Sequence, residues 1–292
     1  MWHTLWHIFE HALLDSVWLL PFLFLTYLAM ELLEHKAGER VKGAIAKTGK
    51  AGPFFGGLLG LVPQCGFSAA AAGLYAGHVI TPGTLLAVFL ATSDEMLPIF
   101  LGEGVAPTRI LAVLGIKLLV ALAVGFLIDF LMRDHRHGIE VEELCAEENC
   151  HCGERGIWLS SLIHTVEIFG FVFLINLLLG GAFEFIGEAR IGAFLSDIPV
   201  VGVLCAALVG LVPNCAASVL IATLWTRGVM SGGAMLAGLL TGAGAGLLVL
   251  FRTNKHHKQN LLLTGVLLFT GILFGCLFDL TGLAALLGLY KI

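Results

Sequence analysis

Long apolar runs and short polar turns alternate along the whole chain. Residues 12–33 form the first run, with no charge between Ser16 and Met30. At roughly 20 residues per crossing it is long enough to span a bilayer as a helix. Residues 36–50 follow, with five Lys/Arg in fifteen positions, and the positive-inside rule places them in the cytoplasm. Further apolar runs cover residues 53–80, 82–101 and 110–128. A sustained hydrophilic stretch then carries seven acidic residues between Asp134 and Glu154. The pattern resumes with runs at 157–185, 198–226, 228–251 and 259–278, and a basic turn at 252–258 separates the last two.

The second series is a copy of the first. Gly60-Leu61-Val62-Pro63-Gln64-Cys65-Gly66-Phe67-Ser68 returns as Gly210-Leu211-Val212-Pro213-Asn214-Cys215-Ala216-Ala217-Ser218, 150 residues later. Carried on without a gap, that offset pairs Gly83 with Gly233, Gly115 with Gly265, Gly125 with Gly275 and Asp129 with Asp279. Of the 72 positions from Leu58 to Asp129, 21 are identical to their partners, which shared apolar composition alone does not produce. The expected fold is an all-α polytopic membrane protein built from two pseudo-symmetric repeats. Residues 1–132 form the first transmembrane repeat, 133–156 a hydrophilic Cys/His/acidic linker and 157–292 the second transmembrane repeat. In each motif a proline and a polar pair interrupt an apolar run, so the helix breaks there and frees backbone groups that hydrocarbon cannot satisfy. Pro-interrupted segments at matching places in two halves point to a transporter's binding site near the bilayer midplane. Four crossings per half would make the repeats parallel and about five segments would make them inverted. The half-length pieces beside Pro63 and Pro213 suit paired short helices and favour inversion.

Composition removes several classes of function. The chain is 58% hydrophobic and 13% charged, against roughly 25% charged in soluble domains. A net charge of -5 without a basic block speaks against a nucleic-acid partner. Residues 1–15 lack the basic start and small-residue cleavage site of a signal peptide. There is no Gly-x-x-x-x-Gly-Lys-Ser/Thr run for a nucleotide and no His-Glu-x-x-His hydrolytic motif, so a transporter is expected rather than an enzyme. The seven cysteines fit no simple disulfide framework, and Cys205 and Cys276 read as small buried hydrophobes.

The candidate chemistry is that of a cation site. Asp94 and Glu95 sit mid-span after Thr92 and Ser93, while the matching positions of the second half are Gly244 and Ala245. Two buried carboxylates without a counter-ion would raise at least one pKa strongly, so a bound metal, a carried proton or a pairing with Lys117 is implied. Gln64 and Asn214 offer amide oxygens, Ser68 and Ser218 hydroxyls, and the broken helix ends carbonyls. Those hard donors suit manganese or magnesium, whereas Cys65 and Cys215 would favour zinc, copper(I) or arsenite. His3, His7, His11 and Asp15 recur every four residues and form one helical stripe. His164 and Glu167 share a face of the corresponding span. His11, Asp15, His164 and Glu167 are candidates for an access path or a second metal site. His135, His137, Cys145, Cys150, His151 and Cys152 make the linker a candidate metal-loading or sensing tract, and Asp129 and Asp279 read as structural caps or interfacial residues.

The duplicated Gly-Leu-Val-Pro-(Gln/Asn)-Cys motif, the mid-span Thr-Ser-Asp-Glu and the His-rich first segment resemble the ten-span heavy-metal exporters, over essentially the whole chain. Members of that family carry the labels manganese transporter or arsenic efflux protein. The resemblance implies a multi-pass protein of the inner (plasma) membrane with two five-segment halves. The expected function is secondary export of a divalent metal ion, manganese first and zinc or another divalent ion next, coupled to protons or to the membrane potential. Asp94, Glu95, Gln64 and Asn214 would hold the ion. No resident cofactor is expected. The partners are the lipid bilayer and the metal ion, with a homo-oligomer as a further option. Two alternatives stand beside this reading: an arsenite or organoarsenical permease using Cys65 and Cys215, and a membrane thiol-disulfide electron carrier using the same pair.

Overall fold

The computed structural model describes residues 51–63, 65–93, 96–132 and 199–282, with short groups between 6 and 28 and between 158 and 178. Among the described residues there is no strand. The first set of helices is α1 (Gly52–Gly60), α2 (Cys65–Ala76), α3 (Pro82–Ala91), α4 (Met96–Gly102) and α5 (Pro107–Leu131). The second is α6 (Pro199–Gly210), α7 (Cys215–Thr226), α8 (Gly232–Thr241), α9 (Ala245–Thr253) and α10 (His257–Leu280). Pro53, Pro82 and Pro107 stand in the first turns of their helices, where a missing N–H costs nothing.

The expected multi-pass membrane class holds. Four stretches, Pro82–Gly102, Pro107–Leu131, Gly232–Thr253 and His257–Leu280, are long and apolar enough to cross a membrane. Helices α1 and α2 have 9 and 12 residues, or roughly 14 and 18 Å at the helical rise, short of a hydrocarbon core about 30 Å thick. The apolar run containing the first motif is thus two short helices, and α6 and α7 repeat this around the second. Two runs that read as continuous spans are also broken. Residues 82–101 divide at Thr92, whose ψ of 125° leaves the helix, and residues 228–251 divide at Gly242–Gly244. Gly244 has φ 53° and ψ -143°, a backbone that only glycine adopts at little cost.

Burial grades from centre to rim. From Gly83 to Ala91 every residue of α3 is buried, and so is all of α8. The long helices α5 and α10 pack against them with one stripe. In α5 that stripe is Ile110, Val113, Lys117, Val120, Ala121, Gly125 and Asp129, which recur at three- and four-residue steps along one helical face, with Val120 and Ala121 side by side. The rest of α5 leaves Leu111, Leu119, Phe130 and Leu131 exposed, a surface fit for lipid and not for water. Helix α2 lies along α9, and α7 against α4 through Trp225 and Phe100, whose ring centroids are 4.9 Å apart. The described residues at 6–28 and 158–178 are helical. Phe9 meets Phe173 edge-on at 5.7 Å and Phe24 meets Trp158 at 6.1 Å, so these two segments run in opposite directions where they touch.

Asp129 and Asp279 are caps reached from another helix. Asp129 accepts hydrogen bonds from the Gly83 N–H at 3.0 Å and the Thr81 hydroxyl at 2.7 Å. Asp279 accepts from the Gly233 N–H at 2.8 Å and the Ser231 hydroxyl at 2.7 Å. Each carboxylate satisfies orphan donors at the start of α3 or α8 and adds negative charge at the positive helix end. Replacing Asp129 with Ala is expected to lower stability by about 2–4 kcal/mol, since two charge-assisted bonds go. Thermal unfolding in detergent measures this, and Asp129→Asn should lose less. Cys205 and Cys276 are half-buried and pack on the edge of the apolar core, more exposed than the sequence implies.

Candidate functional site

Each motif is the joint between two short helices. In the second copy α6 ends at Gly210, the Val212 N–H donates to Val209 O at 3.0 Å, and Asn214 opens α7. Asn214 has an extended backbone, is buried, and accepts the Ala216 N–H on Oδ1 at 3.0 Å. It is therefore an N-cap first. The amide oxygen has a second lone pair, so a cap can also face a cation. Asn214→Ala is expected to lower stability by about 1 kcal/mol and Asn214→Ser by only a few tenths, because Ser caps as Asn does. Unfolding midpoints of the two variants test this. In the first copy Leu61 closes α1 and α2 begins at Cys65.

The breaks in α3–α4 and α8–α9 meet these joints. The Ser93 hydroxyl donates to Leu61 O at 2.9 Å, fastening the end of α3 to the end of α1. Thr241 does the same in the second half, donating to Ala207 O at 2.8 Å. Ser68, fully buried on α2, lies against the start of α9: a Cβ on Gly246 would stand 2.8 Å from Ser68 Cβ and 2.8 Å from the Phe89 ring. The first motif's helix and the second half's break thus occupy one place. Carbonyls expected to be free at the broken ends are in part taken up by the protein's own donors.

Lys117 is the charged group at this centre. It is fully buried on α5, and its Nζ donates to Thr92 O and Leu239 O, 2.5 Å each. Thr92 closes α3 and Leu239 lies in the last turn of α8, so one ammonium joins helix ends from both sets. Its counterpart at the 150-residue offset is Leu267, also fully buried. The sequence marks Lys117 only as a charge in an apolar span and a candidate partner for the acidic pair. A lysine in such a span, with Leu267 at the matching position of the second half, was the signal for more.

Of the candidate ligands, Asn214, Ser68 and Ser218 are those whose side chains are described. Asp94, Glu95, Gln64, His11, Asp15, His164 and Glu167, the side chains of Cys65 and Cys215, and the linker histidines and cysteines lie outside the described residues. Among the described residues no three His, Cys, Asp or Glu side chains gather as a metal site.

The model of one protein family, described as "Putative, 10TM heavy-metal exporter", matches residues 7–196, more than half of the chain. The first motif and residues 92–95 fall inside the match and the second motif outside it. No curated protein and no solved structure matches.

Proposed function

Because the chain belongs to the ten-transmembrane heavy-metal exporter family, we propose that it is a secondary transporter that carries a divalent metal ion, manganese first, out of the cytoplasm across the inner membrane. The observation that carries this reading is the family match together with the converging broken helices at Thr92 and Gly242. Broken helices at a buried centre are where transporters bind their cargo, and irregular backbone persists in a membrane only where protein or water satisfies it. Asp94 and Glu95 follow the α3 break directly and would supply the charge. Gln64 and Asn214 would complete the site with amide oxygens. His11, Asp15, His164 and Glu167 would line the approach, and protons or the membrane potential would drive the ion.

The two series of helices are best understood as inverted repeats, residues 1–132 and 157–292, joined by the linker at 133–156. Equivalent contacts at one offset support the repeat: Asp129 to Gly83 and Asp279 to Gly233. Opposite running of the segments around Phe9 and Phe173 supports the inversion, because those segments are each other's counterparts.

Transport in inside-out membrane vesicles tests the function. Wild-type vesicles should accumulate manganese(II), and Cys65→Ser should keep that accumulation within about twofold, since a carboxylate and amide site does not depend on thiolate. Arsenite accumulation that needs Cys65, without manganese movement, would replace the divalent-metal reading by the arsenical one. No movement of manganese, zinc or arsenite would overturn export altogether and favour thiol-disulfide chemistry at Cys65 and Cys215.

A further inference from the structure

The ammonium of Lys117 stands between the ends of two broken helices. Thr92 O and Leu239 O, both of which accept from it, lie at the C-terminal ends of α3 and α8. Those are the ends whose carbonyls lack intrahelical donors and whose dipoles point negative charge outward. Two such ends, one from each set of helices, converge on one nitrogen inside the protein. Opposed helix C-termini favour a cation between them, and a lysine ammonium is a compact point charge with three donors.

A brace would not require that charge. Burying an ammonium is expensive, and a neutral donor could tie the same carbonyls with less desolvation. Leu267 occupies the matching position of the second half, equally buried and uncharged, and α10 packs there all the same. The charge is therefore specific to the half that carries Asp94 and Glu95, whose segment begins two residues after Thr92.

We propose that Lys117 is a resident counter-cation: it fills the cation position of the empty carrier and yields it to the metal ion on loading. This rests on the exporter reading and deepens it. An exporter must return without metal after each release, and an ionised acidic pair crossing a low-dielectric interior without a cation is strongly disfavoured. With Lys117 in place the empty carrier carries its own positive charge. The loaded carrier needs none, because the cargo supplies it. Net export requires the empty return, whereas exchange of metal for metal requires only the loaded crossing.

The two modes separate the proposal from a structural role. Vesicles holding Lys117→Gln or Lys117→Met are loaded with unlabelled manganese(II) and offered radiolabelled manganese(II), then tested again without internal metal. Exchange should stay within about threefold of wild type while net accumulation falls by about tenfold or more, which corresponds to the loss of one favourable charge interaction in the returning state. Lys117→Arg, which keeps the charge, should recover part of net accumulation. Equal loss of exchange and net accumulation in folded protein would overturn the proposal, as would net accumulation undiminished in either neutral variant. Failure of both neutral variants to fold, seen as loss of a single elution peak in detergent, would make Lys117 a brace and overturn it too. A wild-type chain that neither exchanges nor accumulates metal sinks the exporter reading itself, a separate result.

Discussion

Gly233→Val should leave no folded protein in the membrane, while Gly265→Ala should change stability by no more than about 1 kcal/mol. Both glycines are duplicated at the 150-residue offset, and both stand in apolar helices. Their surroundings differ completely. A Cβ on Gly233 would stand 2.3 Å from Gly275 O and 2.4 Å from the Asp279 carboxyl carbon, and one on Gly83 would stand 2.1 Å from Gly125 O. Those partners are backbone and a cap, which cannot swing aside as a flexible side chain does. Helix α8 would have to leave α10, and the Asp279 cap of α8 would go with it. Close packing transmits such a shift through the buried centre, so the cost is expected to exceed about 5 kcal/mol, the size of a whole domain's stability. Nothing lies within 4 Å of a Cβ on Gly265 or on Gly115. Expression and detergent-solubilised elution profiles of the two variants decide the matter: a folded Gly233→Val protein would mean that the α8–α10 crossing is looser than described.

That contrast shows how far a sequence can be read. Duplication picked out Gly83, Gly115, Gly125 and their partners equally, because an offset records that a position recurs and not what it touches. Class and broken motifs were legible because lipid permits few backbone solutions: long apolar runs must be helices, and Pro63 and Pro213 must interrupt them. Asp129 and Asp279 were legible as capping or interfacial residues because a charge at the end of a span has few other uses, and the structure shows the cap. The breaks at Thr92 and Gly244 were not, since Thr-Ser and Gly-Ala-Gly pass for small residues inside an apolar run. Only the backbone reveals that one leaves the helix through an extended residue and the other through φ 53°. Lys117 was legible as an anomaly but not as a junction, for its acceptor on α8 lies 122 residues away. Of the ten candidate ligands, Asn214 gained a described role, as a cap. Its polar character was visible in the motif, but its duty to Ala216 needed the start of α7 to be located.

Asp94→Asn should abolish net metal export while leaving a folded, membrane-inserted protein. The substitution keeps the shape of the side chain and removes its charge, so a site that holds a divalent ion through carboxylate oxygen loses a charge-assisted contact of about 1.5–3 kcal/mol. That is roughly 10- to 100-fold in affinity, and more in transport if the ion must be held through the crossing. The second half offers no replacement. Its matching residue is Gly244, whose φ of 53° and ψ of -143° exclude a side chain without strain. Adding Gly244→Asp to Asp94→Asn should therefore fail to restore export and should cost about 1–3 kcal/mol of stability besides. The asymmetry is thus a backbone property as well as a chemical one: Thr92, Ser93 and Lys117 give the first half's break donors and a cation, and the second half's break closes on glycine. Growth in excess manganese, together with vesicle accumulation at matched protein levels, measures the effect. Full export by Asp94→Asn would remove the carboxylate from the proposed site, and export regained in the double variant would show that the two breaks are interchangeable.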